Sequence, residues 1–124
     1  MVVRRPSGGS LVQYLVTAVF KPHQLDAVKE LLRGIGTPGM TITEVGGCGR
    51  QGGRTSTYRG TEYTIDVMPK VRIEVVADDE DVDVVVQAIM AGARTGSIGD
   101  GKIWVTEVAR VVRIRTGELG ADAL

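Results

Sequence analysis

Residues 11–20 read Leu-Val-Gln-Tyr-Leu-Val-Thr-Ala-Val-Phe, a β-favouring run with no glycine or proline, which predicts a central strand. Pro22 stops that strand and suits the first turn of a helix. Leu25, Val28, Leu31, Leu32 and Ile35 then recur at near-helical spacing along one face, until Gly34, Gly36, Pro38 and Gly39 break the pattern. Residues 40–45 alternate apolar with polar side chains and predict a second, half-buried strand. The rhythm is lost over residues 46–69. It returns at residues 70–76, with Val71, Ile73 and Val75 on one face and Lys70, Arg72 and Glu74 on the other. Asp78, Asp79, Glu80 and Asp81 open a second helix, where acidic side chains favour the positive end of the helix dipole. Val82, Val85, Val86, Ile89, Met90 and Ala93 fill its apolar face, residues 102–114 predict the last strand, and residues 116–124 a short tail.

The order is therefore β-α-β, a long loop, then β-α-β. Two halves echo one another: Thr43-Glu44-Val45 and Thr106-Glu107-Val108 each follow a helix, one containing Leu-Asp-Ala-Val and the other Val-Asp-Val-Val. An α+β, ferredoxin-like βαββαβ sandwich, four antiparallel strands with two helices on one face, accommodates this pattern most economically. Two short helices cannot cover Val71, Ile73 and Val75 together with the apolar positions of the last strand, so association through the sheets is expected.

Length and charge narrow the function. With 124 residues the chain has room for one domain, expected at residues 11–124, with residues 1–10 a flexible extension. Fifteen Lys and Arg balance fifteen Asp and Glu, so no net field recruits nucleic acid or a membrane and any anion site must be local. One cysteine, Cys48, rules out an intrachain disulfide, and one histidine, His23 in a first helical turn, argues against a triad or a histidine-rich zinc site. The proline and glycine break after Arg4-Arg5 leaves no apolar signal core, and no stretch has the length of a membrane span, so a cytoplasmic setting is expected.

Candidate chemistry gathers in residues 94–102, Arg-Thr-Gly-Ser-Ile-Gly-Asp-Gly-Lys. Gly96, Gly99 and Gly101 allow backbone N–H groups to converge, and Lys102 closes the loop with a positive charge, which is anion-binding chemistry. The stretch fits GxxxxGK, but Ile103 stands in place of Ser or Thr and the loop follows a helix, so a nucleotide-hydrolysing P-loop is excluded while a phosphate cradle is not. The alternative for the loop is a plain helix-to-strand connection. The long segment at about residues 49–67 is the other unusual feature, a polar arm carrying Tyr58 and Tyr63.

Gly49-Arg50-Gln51, residues 58–63 (Tyr-Arg-Gly-Thr-Glu-Tyr), Met68-Pro69-Lys70-Val71 and residues 95–105 together resemble the PII nitrogen-regulatory signalling family, with Lys21-Pro22 and residues 114–117 extending the match. That resemblance implies homotrimers that bind ATP or ADP between subunits and, with ATP and Mg²⁺, 2-oxoglutarate. It implies phosphate contacts from Gly99, Asp100, Gly101 and Lys102, with Arg50 and, from the neighbouring subunit, Arg113 and Arg115, two apart on the last strand. Thr41, Gly47, Glu74 and Val76 would line the base and ribose. Gln51 would ligate Mg²⁺ and contact 2-oxoglutarate, Lys70 would pair with its distal carboxylate, and Tyr63 is the modified tyrosine of some bacterial members. Partners of the kind implied are an ammonium channel, a nitrogen-metabolism enzyme or a nucleotidylyltransferase. Thr61, Gly52, Cys48 and Ser97 depart from the usual family residues, and Gly52 is expected to loosen the loop base.

Two other classes fit the same βαββαβ order less well. A slow ATP or acylphosphate hydrolase would want a side-chain amide to position water, and the chain contains no Asn. An RNA binder would want aromatics spaced for base stacking on the central strands, which Tyr14, Phe20 and Trp104 do not provide.

Overall fold

The computed structural model describes residues 10–48, 54–58, 61–65 and 67–124, so the expected extension at residues 1–10 and the loop residues Arg50, Gln51 and Gly52 lie outside the described residues, except for Ser10. Strand β1 (Gln13–Phe20) leads through a 3-10 turn at Pro22–Gln24 into α1 (Leu25–Gly34) and β2 (Thr41–Cys48). Strands β3 (Arg54–Tyr58) and β4 (Thr61–Ile65) pair with each other as a separate hairpin. Strand β5 (Val67–Asp78) leads through a 3-10 turn at Asp79–Asp81 into α2 (Val82–Ala93), and β6 (Lys102–Val108) closes the sheet. The order β2–β5–β1–β6, antiparallel throughout, with both helices on one face, is the ferredoxin-like arrangement.

Strand alternation decides which side chains meet the helices. Val16, Ala18 and Phe20 of β1 lie beside Val75, Ile73 and Val71 of β5 in register. All six are buried, and Val28 and Leu32 of α1 with Val85 and Ile89 of α2 pack on them. Each large side chain of this core contributes about 1.5–3 kcal/mol by leaving water. Val71, Ile73 and Val75 are thus covered within one chain, while Val105, Val112 and Ile114, in the stretch expected to form the last strand, stay exposed. The alternate β5 residues Lys70, Arg72, Glu74 and Val76 occupy the opposite face, which no helix covers among the described residues.

On that face Thr41, Glu74, Thr17 and Trp104 stand in one row across all four strands, and Trp104 is 45% exposed. The sequence echo is also structural: Thr43-Glu44-Val45 and Thr106-Glu107-Val108 lie on the two edge strands.

Three element boundaries differ from the sequence pattern, and partner length explains two of them. Strand β2 continues to Cys48, beyond the expected end at Val45, because Gly46, Gly47 and Cys48 pair with Pro69, Met68 and Val67. There β5 has run past Phe20, the end of β1, so Pro69 sits on a free edge where its missing N–H costs no ladder bond. Conversely, β6 stops at Val108, not Ile114, because Val108 already pairs with Gln13, the first residue of its only partner. The third is the β3–β4 hairpin, which places Tyr58 and Tyr63 in strands inside a segment whose composition had suggested an irregular arm.

Helix packing has one tight point. A Cβ on Gly92 of α2 would lie 2.8 Å from the Val28 Cα of α1, a backbone contact that cannot yield without moving a helix. Gly92→Ala is expected to lower stability by about 1–3 kcal/mol, overpacking outweighing the helix-propensity gain of about 1 kcal/mol, as read from urea denaturation midpoints. An unchanged or raised midpoint would mean that the helices do not meet so closely.

Candidate functional site

The glycine-rich loop leaves α2 at Ala93 and returns to the sheet at Lys102, packed against the end of β1. Its docking is backbone on backbone. Gly101 has φ of +100°, and a Cβ there would lie 1.8 Å from the Val19 carbonyl oxygen and 2.9 Å from the Phe20 Cα. Only glycine fits. Gly96 and Gly99 also have positive φ, +87° and +92°.

Asp100 holds the loop from inside. Its Oδ2 accepts hydrogen bonds from the Thr95 and Gly96 backbone N–H groups, each at 2.8 Å. Its Oδ1 accepts from the Thr95 hydroxyl and faces the Lys21 ammonium at 3.3 Å. The Lys21 Nζ also donates to Thr95 Oγ1 at 3.2 Å, an oxygen that accepts from the Ser97 N–H at 3.2 Å as well. These bonds hold the Asp100 carboxyl well below the usual carboxylate range, the Thr95 hydroxyl first among the causes.

Lys70 reaches the same loop from β5. Its stem crosses Gly47, where a Cβ would meet the Lys70 Cγ at 3.0 Å, and its Nζ donates to the Gly99 carbonyl at 2.7 Å. The side chain is buried, and burial pushes the ammonium below the ordinary lysine range. Nearby Lys21 acts in the same direction, while Asp100 opposes it. Lys102 is exposed and makes no ion pair among the described residues. Among those residues the Gly99 and Gly101 amides carry no backbone hydrogen bond, so donors and positive charge collect at one end of the sheet.

Thr41 and Glu74 face each other in the β2–β5 register, and Val76 follows Glu74 on the same face. Arg113 and Arg115 do not share a strand face, as the sequence pattern implied, because β6 has already ended at Val108. Arg113 is instead tied to the chain's own end, with its guanidinium donating to Glu118 at 3.0 Å, the Ala123 carbonyl at 3.3 Å and the Leu124 carbonyl at 2.7 Å. Arg115 is exposed in the adjoining turn. This turn is anchored where Gly120 lies near Gln13, at the opposite end of β1 from the loop, about 20 Å away at roughly 3.3 Å per residue. Of the remaining expected site residues, Arg50 and Gln51 are outside the described residues, and Tyr63 pairs through its backbone with Ser56. No group of three or more potential metal ligands occurs among the described residues.

The family model for nitrogen regulatory protein P-II matches residues 13–118, which take in both helices, every strand and the glycine loop. The chain belongs to this P-II family. A nitrogen regulatory protein P-II of Pasteurella multocida is 55% identical over 109 residues, covering 88% of this chain and 97% of that one. Nitrogen regulatory protein P-II 2 of Methanothermobacter thermautotrophicus is 53% identical over 109 residues, covering 88% and 95%. A crystal structure of Arabidopsis thaliana PII bound to citrate superposes with a TM-score of 0.73 at 36% identity, covering 90% of this chain and 88% of that one. The P-II relatives are named as regulatory proteins, and membership assigns the chain to nitrogen regulation. No helix among the described residues is long and apolar enough to cross a membrane.

Reading by residue type missed the parts of Lys21 and Thr95 in this P-II loop. Lys21 drew notice beside Pro22, at the end of the first strand and in the family resemblance, but with no role in the loop, and its contacts with Thr95 and Asp100 span more than seventy residues, a separation that no local motif encodes.

Two outcomes follow from this geometry. Gly96→Ala, with nothing within 4 Å of the new Cβ, is expected to cost about 1–2 kcal/mol of strain, whereas Gly101→Ala must displace the loop from β1 and cost several-fold more in urea unfolding. Equal costs would show that the loop does not dock on Val19. The second concerns pH. A carboxylate whose pKa is depressed in the fold stabilises that fold above its unfolded value, about 3.9, and loses the contribution as pH falls through the lower folded value. The Thr95 and Gly96 amide NMR signals should hold from pH 7 to 4 and move only below; a midpoint near 4 would contradict the bonds to Asp100.

Proposed function

We propose that the chain is a cytoplasmic P-II signalling subunit, acting as a homotrimer, that binds ATP or ADP between subunits and binds 2-oxoglutarate when Mg²⁺ and ATP are present. The observation that carries this reading is the separation of its cations: Lys102 and the glycine loop lie at one end of β1, while the turn with Arg113 and Arg115 is anchored at the other. Within one chain the arginine turn and the loop are thus attached at opposite ends of β1, about 20 Å of strand apart. A second copy, meeting the first across the uncovered sheet face around Trp104, would bring its arginine turn to the loop.

The loop is chemically suited to polyphosphate. Gly99 and Gly101 supply amides, Lys102 a free ammonium, and arginines of a neighbour can each make two parallel bonds. Charge-assisted hydrogen bonds contribute about 1.5–3 kcal/mol each, so a few suffice for micromolar affinity. Thr41, Gly47, Glu74 and Val76 on the uncovered face would hold the base and ribose, and Arg50 would add a phosphate contact.

Mg²⁺ would find oxygen ligands in the phosphates together with Gln51. Lys70 would take the distal carboxylate of 2-oxoglutarate with the N–H donors that its ammonium does not give to the Gly99 carbonyl, so the oxoacid position and the glycine loop would be linked through one side chain. Citrate on the Arabidopsis relative supports small polycarboxylates as ligands of this fold. Loop conformation around Tyr63, a candidate modification site, would carry the signal to an ammonium channel, a nitrogen-metabolism enzyme or a nucleotidylyltransferase.

Calorimetry of the full chain tests this directly. ATP should bind, 2-oxoglutarate should bind only with Mg²⁺ and ATP, and Lys102→Ala should weaken ATP at least tenfold while sedimentation still reports a trimer. A monomer, or oxoacid binding that is indifferent to nucleotide, would refute it.

A further inference from the structure

Asp100 poses a charge problem for a phosphate cradle. It lies between two positive-φ glycines whose amides make no backbone hydrogen bond among the described residues, and a negative group beside a polyphosphate repels it. We infer that Asp100, Thr95 and Lys21 form an internal brace of the loop, Asp100 acting as a positioning residue and not as a phosphate ligand, with Lys21 cancelling its charge so that the loop can take a polyanion. This inference rests on the nucleotide-binding reading, moves Asp100 out of the phosphate contacts that the family resemblance implied, and gives roles to Thr95 and Lys21, which that reading does not use.

The hydrogen bonds already made account for the carboxylate. Both oxygens are engaged, Oδ2 by the Thr95 and Gly96 N–H groups and Oδ1 by the Thr95 hydroxyl and the Lys21 ammonium. Two consequences follow. The Thr95 and Gly96 amides are spent inside the loop and cannot serve a ligand, which leaves the later amides, at Gly99 and Gly101, to face it. The bond from residue 100 back to residues 95 and 96 also closes the loop into a short ring, so those later amides are held in place before any ligand arrives.

Lys21 then does two things through one ammonium. It bonds both acceptors of the ring, Asp100 at 3.3 Å and Thr95 Oγ1 at 3.2 Å, and so ties the ring to the end of β1, where Lys21 directly follows Phe20. It also leaves the Lys21–Asp100 pair with no net charge. Without it the loop would present a negative charge to the ligand, and the penalty would grow with each phosphate. That dependence on phosphate number separates a charge-cancelling brace from a residue that merely keeps the protein folded.

The test uses the full-length chain and its Lys21→Met, Thr95→Val and Asp100→Asn variants, titrated calorimetrically with ATP, ADP and AMP, with thermal melting as a control. Asn at position 100 keeps one acceptor but turns an N–H₂ toward donors, so the ring opens. Affinity for ATP should fall tenfold or more in Lys21→Met, ADP less and AMP least, whereas Thr95→Val and Asp100→Asn, which leave no uncancelled negative charge, should weaken binding through the opened ring without that dependence on phosphate number; melting should be little changed, and Thr95→Ser, which keeps the hydroxyl, should bind as the parent chain does. Equal losses for all three nucleotides in Lys21→Met, or no loss in any variant, would overturn the brace. Amide hydrogen exchange of residues 95–101 gives a reading without ligand: it should speed up in the variants while β1 and β5 stay protected, and unchanged exchange also overturns the brace. A parent chain that binds none of the nucleotides would refute the proposed function, while exchange would still decide on the brace. Should Asp100→Asn fail to fold, Lys21→Met, whose side chain is part exposed, carries the same tests.

Discussion

Gly101 lies against the Val19 carbonyl so closely that even a methyl group has no room, and this approach fixes everything around it. It seats the loop on the end of β1, within reach of Lys21 just past that strand and of Lys70 from β5. It also starts β6 at Lys102, in register with Val19, which sends the Lys102 side chain to the uncovered sheet face. A larger residue at position 101 would alter the loop, the edge strand and the cation cluster together.

Strand lengths in this fold are set by pairing more than by local sequence. Gly46, Gly47 and Pro69 read as breakers, yet they lie in strands because β2 and β5 continue side by side after β1 has ended. Residues 109–114 are rich in Val and Ile, and they lie beyond β6 because β1 has no residue left to pair with; Val112 pairs instead with Leu119 in an isolated bridge, and Ile114 is fully exposed. Alternation and helical spacing therefore told which face is buried, correctly for β5 and α2 and for α1 apart from Leu31, which is exposed. What alternation could not give was where a partner starts and stops, a non-local property.

The site divides along the same line. The glycine loop and its lysine were legible because positive φ and a terminal cation have a residue-type signature. Thr41, Glu74 and Val76 have no such signature; they came only through resemblance to a family, and the register shows them on one face. Lys21 and Thr95 belong to a network joined across the fold, and their ordinary residue types conceal it. The arginines were legible as cations but not in their placement, since Arg113 is bound by Glu118 and by the last carbonyls of the chain.

Two lysines near the loop show how a chain with no formal net charge can gather cations locally. Lys21 pairs with Asp100, while Lys70 makes no ion pair among the described residues and donates to a carbonyl dipole, that of Gly99. A dipole stabilises a buried ammonium less than a carboxylate does, which agrees with the direction in which burial moves Lys70. Lys70 is therefore the cation with most to gain from an arriving anion. Its partner is a backbone carbonyl of the glycine loop itself, so the Lys70 ammonium and the Gly99 peptide are linked directly by one hydrogen bond. Under the proposed function, an anion that draws on Lys70 and a phosphate that draws on the loop would then need no long pathway to sense each other.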